Sequence, residues 1–109
     1  MKLPVSCFAA LIFGVSSVCL AQPATERQRE LVRMVRQDCG SCHGMTLNGG
    51  LGPALTVEAL KLRDIPKDSL VATIIAGRPG TPMPPWNRFL NEAEATWIVE
   101  QLLQGFPTE

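Results

Sequence analysis

The chain has no surplus charge of either sign and almost no histidine. Ten Lys and Arg balance ten Asp and Glu over 109 residues, and His43 is the single histidine. This balance does not match the basic surplus of a nucleic-acid-binding protein. A structural zinc site would need a second C-x-x-C or an H-x-x-H pair, and neither is present. The sequence also lacks strand-like alternation of useful length and internal repeats, which favours an all-α fold.

Residues 1–21 have the pattern of an export signal. Lys2 supplies a positive start, an apolar run follows over 8–15, and small residues stand at Cys19 and Ala21, just before the expected cleavage. The alternative is a retained membrane anchor, but the run falls short of the ~20 apolar residues that a span needs. We therefore expect removal of 1–21, membrane contact only during export, a periplasmic location, and one mature domain over 22–109.

The pentapeptide Cys39-Gly40-Ser41-Cys42-His43 is a C-x-x-C-H motif. Thiols at this spacing can each add to one vinyl group of haem, and the histidine then lies beneath the iron as an axial ligand. A local disulfide is the simplest alternative. A thioredoxin-like redox pair would need a βαβ context, whereas these flanks predict a helix before the motif and a glycine-rich loop after it. The motif predicts one covalently attached haem c.

Apolar periodicity and capping residues predict three to four helices around that haem. Thr25 and Gln28 are expected to form a capping box at the start of the first helix, and Asn91 and Glu94 a second one. Prolines at four positions between 78 and 90 predict a stiff, extended loop. The predicted helices cover about 25–38, 56–62, 66–76 and 91–104.

The sixth iron ligand is expected to be Met83. Met34 lies in a helix before the motif, and Met45 is two residues past His43, too close to reach the opposite haem face. Met83 lies forty residues beyond His43, between Pro82 and Pro84, and the prolines reduce the entropy cost of holding its sulfur in place. If Met83 leaves the iron, the alternative is a gas sensor or a peroxidase-like enzyme. No second histidine is available to assist peroxide cleavage.

These features together resemble the class I c-type cytochromes. The resemblance rests on the C-x-x-C-H motif, the run Gly52-Pro53-Ala54-Leu55, the run Gly80-Thr81-Pro82-Met83-Pro84 and a capped C-terminal helix containing Trp97. It covers about residues 25–105. It implies a small all-α fold, thioether bonds at Cys39 and Cys42, and axial ligands at His43 and Met83. It also implies that the Pro53 carbonyl accepts the imidazole N–H.

The runs 38–46 and 77–86 further resemble the small periplasmic cytochromes of denitrifying bacteria. That family is associated with the cytochrome cd type of nitrite reductase, or with maturation of its d-type haem. The resemblance implies a non-enzymatic carrier of single electrons that serves redox partner proteins. An apolar patch with a basic border around the haem edge would suit such a partner: Met45, Pro84, Pro85 and Trp86, with Arg78 and Arg88. Trp86 could instead pack inside, and the arginines could pair with haem propionates.

Overall fold

The computed structural model describes residues 22–108 together with Gly14. Apart from Gly14, the export signal expected at 1–21 lies outside the described residues. Within the described part of the chain, no helix is both long and apolar enough to cross a membrane.

Every regular element among residues 22–108 is helical. Helix α1, a π-helical turn and helix α2 follow one another without a break, so residues 22–108 form four separate helical segments. This confirms the predicted all-α fold. The elements are α1 (Thr25–Met34), the π-helical turn (Val35–Cys39), α2 (Gly40–His43), α3 (Val57–Arg63), α4 (Lys67–Ala76) and α5 (Glu92–Gln104).

The capping box predicted at Thr25 is wrong. Ala24 occupies the N-cap position of α1, and no side chain caps the helix. The Gln28 side chain instead donates to the carbonyl of Pro23 at 2.8 Å, while its backbone N–H donates to Ala24 at 2.9 Å. Gln28 therefore binds the segment that enters the helix and leaves no partner for a reciprocal bond at Thr25.

The capping box predicted at the start of α5 is confirmed. The Asn91 side chain accepts the Glu94 N–H at 2.8 Å, and the Glu94 carboxylate accepts the Asn91 N–H at 3.1 Å. Each residue satisfies a backbone donor that the first helical turn leaves unpaired. Helix α5 ends at Gln104, and Gly105 follows with a φ of +103°.

Two further boundaries place the segments that line the site. Thr56 caps α3 by accepting the Ala59 N–H, and α3 ends where Asp64 enters the left-handed region at φ +48°. Helix α4 begins after Pro66 and ends at Gly77, whose φ is +67°. These bounds agree with the predicted helices to within a residue.

The core joins α1 and the π-helical turn to α5. Leu31 and Val35 are fully buried and pack with Trp97 and Ile98 of α5, and α4 adds Val71 against the other side of α5. Burial of side chains of this size contributes roughly 1.5–3 kcal/mol each. Polar contacts also join α1 and the π-helical turn to the two ends of α5. Arg27 pairs with Glu94 at 2.8 Å, and Arg36 donates to the Phe106 and Pro107 carbonyls.

Candidate functional site

A cavity of about 340 Å³ opens between the C-x-x-C-H turn, α4, α5 and the proline-rich segment. All five residues expected to form the site line it: Cys39, Cys42, His43, Pro53 and Met83. They come from three separate stretches of the chain. The fold thus brings together two thiols, an imidazole and a thioether around one space.

The π-helical turn sets the direction of the cysteine motif. Gly40 donates its N–H to Val35 five residues earlier, in place of the i−4 bond of an α-helix. Val35 and Cys39, at the two ends of this turn, both line the cavity and both contact the core. Helical periodicity predicted a helix here but not this wider turn, because the two differ by a single residue of register.

Cys39 and Cys42 form no disulfide in the described part of the chain, and both are partly buried. Burial, reinforced by the charges of nearby Asp38 and Cys42, raises the pKa of Cys39 to about 11. A thiol with this pKa is protonated at neutral pH and is a weak nucleophile on its own. Cys39 therefore behaves as an apolar part of the cavity wall until it is derivatised.

His43 ends α2 with its ring fixed by one hydrogen bond. Its Nδ1 lies 2.7 Å from the carbonyl oxygen of Pro53. A carbonyl only accepts, so Nδ1 carries the proton and Nε2 keeps its lone pair. A metal-binding histidine needs this tautomer, and the bond raises the basicity of Nε2.

Gly52 allows the chain to pass directly beside the imidazole ring. A Cβ at this position would lie 2.8 Å from both Cε1 and Nδ1 of His43. The Gly52 N–H also donates to the Cys42 carbonyl at 2.7 Å, which draws the residue against the motif. The sequence marked Gly52 as part of a family run, but its close approach to the ring depends on the folded loop.

The segment that carries Met83, residues 77–90, is called the methionine loop here. A turn over 78–81 shapes it: Thr81 donates its N–H to the Arg78 carbonyl at 3.1 Å, with Gly80 at φ +79°. Gly at the third position of such a turn, after Pro79, is typical of type II geometry. The Arg78 N–H then donates to the Met83 carbonyl at 3.2 Å. The backbone of Met83 is thus held by the turn that precedes it.

Gly77 seats the methionine loop against the end of α4. A Cβ on Gly77 would lie 2.6 Å from Pro85 N and 2.8 Å from Met83 O, so the two backbones touch. Further along, the Trp86 N–H donates to Ile74 of α4 at 3.0 Å. These contacts hold Met83 at the cavity wall from both sides.

The other two methionines of the described chain do not line this cavity. Met34 packs against the core, and Met45 is 66% exposed. Trp86, for which docking and internal packing were both open, is half-buried, packs against the core and lines the cavity. This position favours the internal role.

Charged side chains at the cavity wall are few. Arg78 lines the cavity, whereas Arg88 does not. Arg63 and Asp38 line it too, and sequence reasoning missed both roles. No sequence signal separates Arg63 from the neighbouring cation Lys61.

The cavity residues fit a haem. Most of the lining is aliphatic or aromatic, which suits a porphyrin face. Because Gly52 has no side chain, its backbone lies directly against the imidazole ring of His43. Two thiols three positions apart, an imidazole and a soft thioether form the donor set of a c-type haem. A single all-helical domain with this motif on such a cavity defines a c-type cytochrome.

Comparisons with known proteins agree with this class. The family model described as cytochrome C oxidase, cbb3-type, subunit III matches residues 26–101. Cytochrome c55X of Stutzerimonas stutzeri is 55% identical over 87 residues, which cover 80% of this chain and 75% of that protein. The solved structure of the c-type cytochrome NirC superposes with a TM-score of 0.73 at 55% identity, covering 76% of this chain and 95% of that one.

A further solved structure, titled dihydro-heme d1 dehydrogenase NirN in complex with DHE, superposes with a TM-score of 0.59 at 35% identity. The match covers 66% of this chain and 15% of that protein. The chain belongs to the family of small c-type cytochromes that includes cytochrome c55X and NirC. It carries covalently bound haem c and is an electron-transfer protein rather than an enzyme.

Proposed function

We propose that Cys39 and Cys42 hold the haem through thioether bonds and that His43 and Met83 bind its iron from opposite faces. One observation carries this assignment. The three residues of the haem motif and Met83, forty residues further along the chain, line the same cavity. Among the described methionines, Met83 alone lines it. With both axial positions filled, no site is left for a substrate, and single-electron exchange is the remaining chemistry.

The side chains of the site keep the ligand geometry constant. When bound, haem supplies one-electron exchange between its ferrous and ferric states. His43 donates Nδ1–H to Pro53, which fixes the imidazole plane and leaves Nε2 for the iron. Pro82 and Pro84 restrict the backbone on both sides of Met83, so its sulfur needs little rearrangement when the charge of the iron changes. A stiff ligand set of this kind suits rapid electron transfer.

The proposed setting is the periplasm of a denitrifying bacterium, after removal of residues 1–21. The proposed partner is a cytochrome cd type nitrite reductase or the machinery that matures its d-type haem. Support comes from the relatives: a protein titled dihydro-heme d1 dehydrogenase contains a domain that resembles this chain. This chain has the same fold as that domain but is a separate protein. We propose that it exchanges electrons with proteins that carry or build d-type haem.

Haem attachment is tested on the purified mature protein. Acid–acetone extraction should leave the haem on the polypeptide, and intact mass should equal residues 22–109 plus one haem. Haem in the organic phase would refute the attachment at Cys39 and Cys42. A mass that includes Met1 would refute removal of the signal.

The partner is tested by stopped-flow spectroscopy. The reduced protein is mixed with oxidised cytochrome cd nitrite reductase, and separately with an oxidised dihydro-haem d1 dehydrogenase. Electron transfer to the reductase alone supports delivery to nitrite reduction, and transfer to the dehydrogenase alone supports haem maturation. If neither partner exchanges electrons while small inorganic oxidants do, the proposed pathway is wrong but the carrier function stands.

A further inference from the structure

Arg63, the last residue of α3, reaches from the helix to the loop that follows the haem motif. Its Nη2 donates to the Ala54 carbonyl at 2.6 Å, and its Nε lies 3.5 Å from the Ala59 carbonyl one turn back. The same side chain lines the cavity. Helix α3 ends directly after it, because Asp64 adopts a left-handed conformation. Arg63 thus bridges the end of a helix and a loop nine residues earlier.

The peptide unit that receives this bond is held from both sides. Its oxygen belongs to Ala54 and accepts from Arg63, and its N–H belongs to Leu55 and donates to the Leu47 carbonyl at 2.8 Å. Leu47 is only 3% exposed, so the Leu47 bond ties this peptide to the hydrophobic core. Two hydrogen bonds in opposite directions fix the plane of the peptide between Ala54 and Leu55.

The clamped peptide is next to the one that holds the imidazole. The Pro53 carbonyl, which accepts from His43 Nδ1 at 2.7 Å, belongs to the preceding peptide and shares the Cα of Ala54 with the clamped unit. Proline fixes its own φ, so this carbonyl changes direction mainly through the two torsions beside its peptide, ψ of Pro53 and φ of Ala54. Holding the 54–55 peptide therefore restrains the direction of the acceptor.

We propose that Arg63 is a positioning residue for the axial histidine: by clamping Ala54 it aims the Pro53 carbonyl at His43 Nδ1. The proposal rests on the proposed role of His43 as iron ligand. The consequence is electronic as well as geometric. A well-aligned bond makes the imidazole a stronger donor, which favours ferric iron, so a loosened bond should shift the equilibrium toward the reduced form.

A competing explanation is that Arg63 only complements the dipole at the end of α3. Lys61 separates the two. It lies in the same last turn and is exposed, but it does not line the cavity. Lys61→Gln removes the same charge from the same helix end and leaves the Ala54 bond intact, which makes it the matched control for Arg63→Gln.

The experiment uses the haem-loaded protein as wild type, Arg63→Gln, Arg63→Lys and Lys61→Gln. Nuclear magnetic resonance of the reduced protein measures exchange of the His43 Nδ1 proton, and spectroelectrochemistry measures the midpoint potential. We expect Arg63→Gln to speed proton exchange about tenfold and to raise the potential. Arg63→Lys should recover part of the protection, and Lys61→Gln should match wild type in both measurements.

Two results would overturn the proposal. Arg63→Gln could lower the melting temperature while proton exchange and potential stay at wild-type values, which would leave Arg63 as a helix-end cation. Alternatively, Arg63→Gln could lower the midpoint potential while Arg63→Lys leaves the potential unchanged, and both variants could keep wild-type proton exchange. That result would show that Arg63 acts only through its positive charge. If Arg63→Gln does not accumulate, Arg63→Lys against Lys61→Gln decides between the same outcomes. None of these results affects haem attachment or Met83 ligation, which are measured separately.

Discussion

The Nδ1 atom of His43 lies 2.7 Å from the carbonyl oxygen of Pro53, ten residues further along the chain. This bond closes the glycine-rich loop back onto the haem motif, next to the bond between Gly52 N–H and the Cys42 carbonyl. The loop between the two residues therefore serves the imidazole directly. One acceptor sets the tautomer, the ring plane and the donor strength of the residue proposed to bind iron.

Met83→Ala should remove one ligand from the haem iron and leave a coordination position open. Loss of the sulfur is expected to abolish the weak far-red absorption band of the oxidised protein, lower the midpoint potential and permit binding of carbon monoxide. The potential should fall because a soft thioether favours ferrous iron. Optical spectra before and after addition of carbon monoxide measure this. Met34→Leu, a change in the core away from the cavity, should keep the wild-type spectrum. Ready binding of carbon monoxide by wild type would contradict Met83 ligation.

Gly52→Ala should destabilise the haem-loaded protein by about 1–3 kcal/mol, because the new methyl group would overlap the His43 ring and force it to move. Thermal unfolding followed in the Soret band measures the change. Gly40→Ala, inside the C-x-x-C-H motif, is the control, since its Cβ would meet nothing closer than 3.5 Å and its backbone is helical. We expect that variant to be neutral or slightly more stable. Equal losses in both variants would argue against the ring contact.

Gly77→Ala and Gly80→Ala form a matched pair in the methionine loop. Both glycines have positive φ values, +67° and +79°, so each substitution carries a backbone strain of roughly 1–2 kcal/mol. Only at Gly77 would the methyl group also strike Pro84 and Pro85, whereas nothing lies within 4 Å at Gly80. The far-red band should therefore weaken, and carbon monoxide binding appear, in Gly77→Ala alone. The same response in Gly80→Ala would show that strain, not contact, positions Met83.

Glu94→Gln should remove an acid-sensitive part of the stability. The Arg27 guanidinium, with help from the Asn91 N–H, holds the pKa of Glu94 below its ordinary value. The Glu94 carboxylate therefore binds a proton more weakly in the folded state than in the unfolded chain. The stabilisation is complete above the unfolded pKa of about 4.3 and is lost as the pH falls through the pKa of Glu94 in the folded state. We expect a loss of about 1–2 kcal/mol near neutral pH from the weakened cap and ion pair.

Unfolding by denaturant at pH 7 and at pH 3 tests this prediction. The difference between wild type and Glu94→Gln should shrink at the lower pH. Glu92→Gln is the control, since Glu92 lies in the same first turn of α5 and is exposed. A gap between wild type and Glu94→Gln that is constant with pH would contradict the ionic role.

Residue spacing along the chain predicted the all-α fold and the five residues that line the cavity. The C-x-x-C-H spacing, the proline-flanked Met83 and the capping box at Asn91 depend on residues a few positions apart, and local geometry follows from such spacings. The failure at Thr25 shows the limit of such spacings: the Gln28 side chain donates to the Pro23 carbonyl, and Ala24 takes the N-cap position in place of Thr25.

Which surfaces are in contact depends on the tertiary structure, because the contacting residues lie far apart in the sequence. Arg27 and Glu94 are 67 residues apart, and Arg36 and Pro107 are 71 apart. The π-helical turn, the close passage of Gly52 along the imidazole and the bond from Arg63 to Ala54 likewise arise when the loop closes against α2 and α3. Such contacts depend on how helices pack in space, and a linear pattern of residue types does not specify that packing because many side chains of the same type compete for each partner.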